Sequence, residues 1–289
     1  MIKIIKYFFQ AIIIYFFFIV IKIIGLKLSR NFFAYLFNKV GPVIKSDLII
    51  NENLHRFMGT YSEDRRESIK YDMWSNYGKT FVEYLFLKKF RQNNSHIVIK
   101  GEDILEKIKK KNKPVIFVSG HFANFELMSM ELTKRSIKLA TIYRPLNNFF
   151  LNPFMENVRK KYICKNQIKK GLAGVKRTIS YMQNNFSIAM MIDQRVSEGK
   201  RLPFFEYAAL TTTLPSQLAM KFQLDIVPIY IARNKSGNFE MEIYEPIESS
   251  NRDEAEINKL ALTLRLNKII EQMISRDPSQ WIWTHNRWK

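Results

Sequence analysis

The chain holds a single cysteine, Cys164, in 289 residues. One cysteine allows no intrachain disulfide and no cysteine metal cluster. It lies among basic residues, with no histidine near it in sequence, and reads as a bystander. The patterns G-x-x-x-x-G-K-[ST], G-x-G-x-x-G and G-x-S-x-G do not occur. A phosphate-cradling P-loop, a dinucleotide fingerprint and a nucleophile elbow are therefore not encoded. No internal repeat or low-complexity linker is visible. Acidic residues are scarce: 26 against 46 basic ones leave a formal net charge of +20. A field of that sign draws anionic lipid, nucleic acid or acidic proteins. Lys, Ile and Asn are abundant together, a pattern that a coding bias alone can produce, so the charge by itself does not identify a partner. The basic residues are spread along the chain and form no legible nucleic-acid module. A membrane-tethered nucleic-acid binder rests on charge alone, and would need a basic patch interleaved with exposed aromatics.

What the chain does have is apolar material. Hydrophobic residues make up 47% and aromatics 14%, enough for a full core in one large domain or two small ones. Tyr7 to Ile21 is apolar except for Gln10, and the character continues to Leu28 if Lys22 is tolerated. About 20 such residues span a bilayer, provided that Lys22 snorkels to the interface. No small-x-small cleavage site follows, which argues against a signal peptide. Apolarity on every side argues against a buried core helix. Residues 1–28 read as an N-terminal membrane anchor, spanning or deeply inserted, and residues 29–289 as one downstream domain. Lys22, Lys27, Arg30 and Lys39 follow the anchor, against Lys3 and Lys6 before it. That bias places the body in the cytoplasm.

Beyond the anchor, short apolar runs alternate with amphipathic helical stretches. Ser62–Phe90 reads as a helix with Ser62 as N-cap, and Glu102–Lys111 as another. Strands are expected at 97–99, Val115–Ser119, Leu139–Tyr143, Ser187–Ile192 and Ile226–Ala232, the last returning through Asn234–Asn238 into Phe239–Tyr244. Helices are expected at Asn124–Lys134, Phe149–Tyr162 with an interruption near Pro153, Leu172–Gln183, Thr211–Phe222 and Asp253–Ser275, with a polar and aromatic loop running from after Asp193-Gln194 to Leu210. This alternation argues an α/β fold with a mainly parallel central sheet flanked by helices.

The stretch around which the rest is arranged is V-I-F-V-S-G-H-F-A-N-F-E, Val115–Glu126. Gly120 ends the strand and His121 follows at its C-terminal end, where open α/β sheets place ligands. Asn124 is a candidate N-cap for a helix starting near Phe125, and Glu126 falls in its first turn. On one continuous helix His121 and Glu126 are about 140° apart, at about 100° per residue. With His121 in the turn before the helix, the chain can fold them together. Such a pair suits base catalysis: neutral imidazole takes a proton from an attacking hydroxyl, and a carboxylate on its other nitrogen fixes the tautomer. A surface histidine and a first-turn glutamate favoured by the helix dipole are the plainer readings.

G-H-F-A-N-F-E resembles the H-x-x-x-x-D/E block of glycerolipid-type acyltransferases, most of all that of the lipid A late acyltransferases, close to G-H-F-G-N-W-E. This chain has Ala123 for the glycine and Phe125 for the tryptophan. Further blocks follow in order: Y-R-P-L-N-N at 143–148, D-Q-R at 193–195, L-P-F-F-E-Y-A-A-L-T-T-T at 202–213, V-P-I-Y at 227–230 and W-I-W-T-H-N-R-W at 281–288. Glu206 stands where the family usually has glycine. The resemblance implies a glycerol-3-phosphate-acyltransferase-like fold and a membrane enzyme on the cytoplasmic face of a Gram-negative inner membrane. Its expected donor is acyl carrier protein, an acidic partner, and its acceptor a hydroxyl of a glycolipid, a Kdo-lipid A precursor. No cofactor and no metal are called for.

His121 is then the general base and Glu126 orients and charges it. Arg144, at a strand end, faces solvent or an anion; by motif position it binds a substrate phosphate as a fork. Asp193 ends a buried strand, where it caps a turn or orients Arg144 or a substrate group. Gln194 and Asn124 complete the expected substrate contacts. Phe204-Phe205 reads as core or acyl-chain wall, and His285, between aromatics, as structural. No nucleophilic Ser or Cys motif is evident, so direct transfer is expected. The rivals are an acyltransferase with another glycolipid or lysophospholipid acceptor, and a hydrolase using water at the same site.

Overall fold

The computed structural model describes residues 2–59, 62–249 and 255–289. Helix α1 (Ile2–Ile24) ends at Gly25, whose φ of +79° suits a residue without a Cβ. Helices α2 (Leu26–Ile44), α3 (Asp47–Met58), α4 (Glu63–Glu83) and α5 (Leu87–Gln92) follow. Ser62 caps α4 by accepting from the Arg65 amide. The sheet-forming part then runs β1 (Ile97–Lys100), α6 (Glu102–Lys111), β2 (Ile116–Ser119), α7 (Glu126–Lys134), β3 (Leu139–Tyr143), α8 (Asn152–Val158), β4 (Asn166–Lys169), α9 (Leu172–Gln183), β5 (Ser187–Met191), β6 (Lys200–Phe204), β7 (Tyr207–Thr211), α10 (Leu214–Phe222), β8 (Ile226–Arg233), β9 (Phe239–Ile243) and α11 (Ala255–Arg276).

Seven strands form one sheet in the order β1-β9-β8-β2-β5-β3-β4. From β8 to β4 all neighbours are parallel, and β9 turns back antiparallel on β8. A parallel sheet is covered on both faces, so its strands are apolar throughout, and all four residues of β2 are buried. Their alternation divides the core. Ile116 and Val118 join a cluster with α11 and the C-terminal tryptophans, while Phe117 joins one with α7. After β2 the chain leaves over the α7 face; after β5, its neighbour, it leaves over the other, where Phe204, Ala209 and Leu218 lie. The C-terminal ends of β2 and β5 therefore open a crevice, the switch point at which such sheets bind ligands.

Several elements differ from expectation. The loop before Leu210 is a β6–β7 hairpin, turning on Phe205 and Glu206 at φ of 48° and 64°. A two-residue turn with both φ positive favours glycine, which explains the glycine expected at Glu206. Thr211 belongs to β7, and the helix begins at Leu214. The stretch expected as helix from Phe149 begins at Asn152, with Pro153 in its first turn, and ends in a π turn over Arg159–Ile163. β4 is a short polar edge strand that carries no apolar run. The expected acidic start of the last helix at Asp253 lies outside the described residues.

α1 is long and apolar enough to cross a membrane by length and composition. It does not stand clear of the body. Ala11 and Ile21 are buried against it, while Phe9, Phe16 and Ile19 on the other side are exposed. Lys22 Nζ donates to the Leu85 carbonyl at 2.5 Å. α2 lies so close to α4 that a Cβ at Gly78 would come 2.1 Å from the Phe33 carbonyl oxygen. This contact seats α4, which carries Tyr77 and Thr80, and the turn after it, which carries Tyr84, to the cavity that all three line.

Candidate active site

β2 and β5 are paired in register, Ser119 beside Met191. Two residues beyond each lie His121 and Asp193, so the register brings them together. Asp193 Oδ1 is 2.8 Å from His121 Nδ1. Its Oδ2 accepts from the His121 amide at 2.9 Å and from Trp281 Nε1 at 2.7 Å. Asp193 is fully buried. Burial opposes its ionisation, but attraction to the imidazole when that is protonated, together with these donors, outweighs it and holds the carboxyl at about 2. An ionised Asp193 can only accept, so His121 carries its proton on Nδ1. Nε2 is left as a base facing the cavity that His121 lines.

That cavity, of about 450 Å³, is walled mainly by apolar side chains, including Phe18, Phe37, Phe81 and Phe154. A mostly apolar cavity with a few convergent polar groups is the usual form of a small-molecule site. The polar groups here include His121, Asn76, Tyr77, Asn147 and Arg159.

Glu126 opens α7 as expected, but it is not the carboxylate on His121. Its Oε1 accepts from Tyr84 Oη at 2.9 Å and from Arg159 Nε and a terminal Arg159 nitrogen at 2.8 and 2.6 Å. The expectation that Glu126 orients His121 is corrected: Asp193 occupies that place. Asn124 does not cap α7 with its side chain; its Nδ2 donates to Glu83 Oε2 at 2.9 Å, fully buried. Glu83 is also paired with Arg30 at 2.7 Å and with Arg233. Asn124 thus points into a buried charge network behind the His121 loop and is not among the residues that line the cavity. Arg144 is exposed at the rim, donating at 3.4 Å to Asn147, which does line the cavity. Gln194 is half-buried, next to Asp193.

Several contributors were not expected to have a part in the site. Trp281 holds Asp193, and the Gln280 carbonyl accepts from the Ala123 amide at 2.9 Å. Gln280 in turn exchanges two 2.9 Å hydrogen bonds with the Arg233 backbone. The closing tryptophan-rich block thereby seats the histidine loop. That loop places Ala123 at a φ of 43°, which accounts for the glycine that the resemblance expects there. His285 accepts from the Arg195 amide at 2.9 Å; burial lowers its pKa to about 4, so it is neutral. Arg159, Tyr84 and Tyr77 had no signal beyond their residue type. Phe204 is core and does not line the cavity.

The structure is an α/β fold with a histidine, paired to a buried aspartate, lining an apolar cavity. The family model for bacterial lipid A biosynthesis acyltransferases matches residues 2–289. The chain belongs to that family, and is an acyltransferase. It is 24% identical over 257 residues to the lipid A biosynthesis palmitoleoyltransferase of Escherichia coli (strain K12), covering 86% of this chain and 80% of that one. It is 22% identical over 264 residues to a lipid A biosynthesis acyltransferase of Haemophilus influenzae, covering 89% and 82%. Lipid A biosynthesis acyltransferase 2 of Shigella flexneri is 24% identical over 189 residues, which span 64% of this chain and 58% of that protein.

Proposed function

We propose that this protein moves a fatty acyl chain from the thioester of acyl carrier protein to a hydroxyl of a Kdo-bearing lipid A precursor, at the cytoplasmic face of the inner membrane. His121 Nε2 takes the proton of the acceptor hydroxyl as its oxygen attacks the thioester carbonyl carbon. The carbon–sulfur bond then breaks, and the imidazolium returns the proton to the departing thiolate. Asp193 keeps His121 in the competent tautomer and stabilises the imidazolium while it exists. No covalent acyl-enzyme is formed. The acyl chain occupies the apolar cavity, and Arg144 at its rim meets an anionic group of the acceptor. The net charge of +20 favours an acidic carrier, and the lysines and arginine after α1 favour a cytoplasmic body.

The observation that carries this reading is the buried Asp193 on His121 Nδ1 at the edge of the cavity. The test uses detergent-purified protein, acyl carrier protein thioester and a lipid A precursor, with products read by mass spectrometry. The wild type should add one acyl chain, and His121→Ala should lose about 10²–10⁴-fold in turnover. A folded His121→Ala protein with near wild-type transfer would sink the mechanism.

A further inference from the structure

We propose that α1 is a wall of the substrate cavity and selects the length of the acyl chain, in addition to holding the protein at the membrane. The inference rests on the acyl-transfer reading and assigns part of its specificity to the anchor.

Two observations carry it. First, Ile14 and Phe18 of α1 line the cavity directly. The Phe18 ring lies 5.0 Å from that of Phe154 and 5.6 Å from that of Phe81, both of them also lining residues, so the helix completes an aromatic wall. Second, α1 clamps the loop after β3. Asn148 Nδ2 donates to the Tyr7 carbonyl at 2.8 Å, and Tyr15 Oη to the Phe150 carbonyl at 3.0 Å. That loop supplies Leu146, Asn147 and Leu151 to the same cavity. A helix serving only as an anchor has no use for either arrangement. α1 is two-sided: Phe16 is 60% exposed on the face turned away, while Phe18 faces inward.

Packed rings that line a cavity discriminate by length where an acyl chain runs up against them, because a methylene too many has to displace a ring and a methylene too few leaves it uncovered. One methylene in an apolar pocket changes the specificity ratio by about 10–200-fold. Phe18→Ala shortens the wall and should move the preferred donor to longer chains. Ile14→Trp fills the space and should move it to shorter ones.

The experiment measures kcat/KM in detergent micelles for a series of acyl carrier protein thioesters, so that membrane anchoring is not limiting. Phe18→Ala and Ile14→Trp should shift the ratio between neighbouring donors by about tenfold or more in opposite directions. Phe18→Leu, a gentler change that guards against misfolding, should shift it in the direction of Phe18→Ala by less. Phe16→Ala, on the outer face, should keep the wild-type ratio. Unchanged ratios in the Phe18 and Ile14 variants, or an equal shift in Phe16→Ala, overturn the wall. Failure of the wild type to transfer from any thioester overturns the acyl-transfer reading instead.

Discussion

Two buried carboxylates serve one site from different elements. Asp193 comes from the end of β5 and Glu126 from the first turn of α7. Each accepts three hydrogen bonds from side chains or backbone around it. Their donors differ in kind. Asp193 meets an imidazole, which can gain and lose a proton, while Glu126 meets a guanidinium, which stays charged. Asp193 is therefore placed to answer a charge that appears during reaction, and Glu126 to balance one that is always present. Spacing in the sequence favours Glu126 as the histidine's partner; the pairing of β2 with β5 gives the place to Asp193.

The sharpest way to break this comparison is to neutralise each in turn. Asp193→Asn should lower kcat by about 10²–10⁴-fold with little change in KM, because an asparagine favours the wrong tautomer and cannot stabilise imidazolium. Glu126→Gln should show itself first as lost stability. It leaves the Arg159 charge buried without a counter-charge, and breaking a buried pair in this way costs about 3–5 kcal/mol. Denaturation midpoints and steady-state rates on the same preparations check both. A Glu126→Gln protein as stable as wild type, with only kcat reduced, would return Glu126 to the role of the histidine's partner.

Acid should act on the same region in two stages. His285 has its pKa lowered from 6.5 to about 4. Between these values the unfolded chain binds a proton that the folded one refuses, so stability falls as pH drops from about 6.5 to 4. Asp193 has its pKa lowered from 3.8 to about 2. Its contribution is complete above the unfolded value and is lost as pH falls through about 2. Thermal midpoints followed from pH 7 downward should decline in that order. His285→Gln should remove the first stage and keep the second; a first stage unchanged in that variant would assign it to another group.

The smallest expected effect concerns the loop between His121 and Glu126. Ala123 holds a φ of 43°, and a left-handed conformation costs a residue with a Cβ about 1–2 kcal/mol. Ala123→Gly should recover much of that in stability, offset by the greater freedom of glycine in the unfolded chain. A destabilised Ala123→Gly protein would mean that the methyl group, which also lines the cavity, contributes more in packing than the backbone loses in strain.

The apolar runs at Ile116–Ser119, Leu139–Tyr143, Ser187–Met191 and Ile226–Arg233 are strands in the structure. They were legible because a strand buried on both faces has to be apolar along its length. β4 was not, since an edge strand needs no such run. The β6–β7 hairpin was hidden because its turn lacks glycine, the usual sign of positive φ. His121 and Asp193 both stood out as polar residues at strand ends. Arg159 and Tyr84 did not, and Trp281 stood in a quoted block without a role, because a charged or aromatic residue on a helix or tail reads the same whether it faces solvent, core or substrate.

By itself the sequence determined the α/β class, an apolar N-terminal helix and a histidine at the end of a buried strand. These follow from local periodicity and from residues adjacent in the chain. Only the tertiary structure decided that Asp193 meets His121, that Glu126 meets Arg159, and that α1 lies along the cavity. Partners 72 and 33 residues apart are chosen by strand order, register and helix seating, which depend on the packing of the whole chain and leave no mark in any one stretch of it.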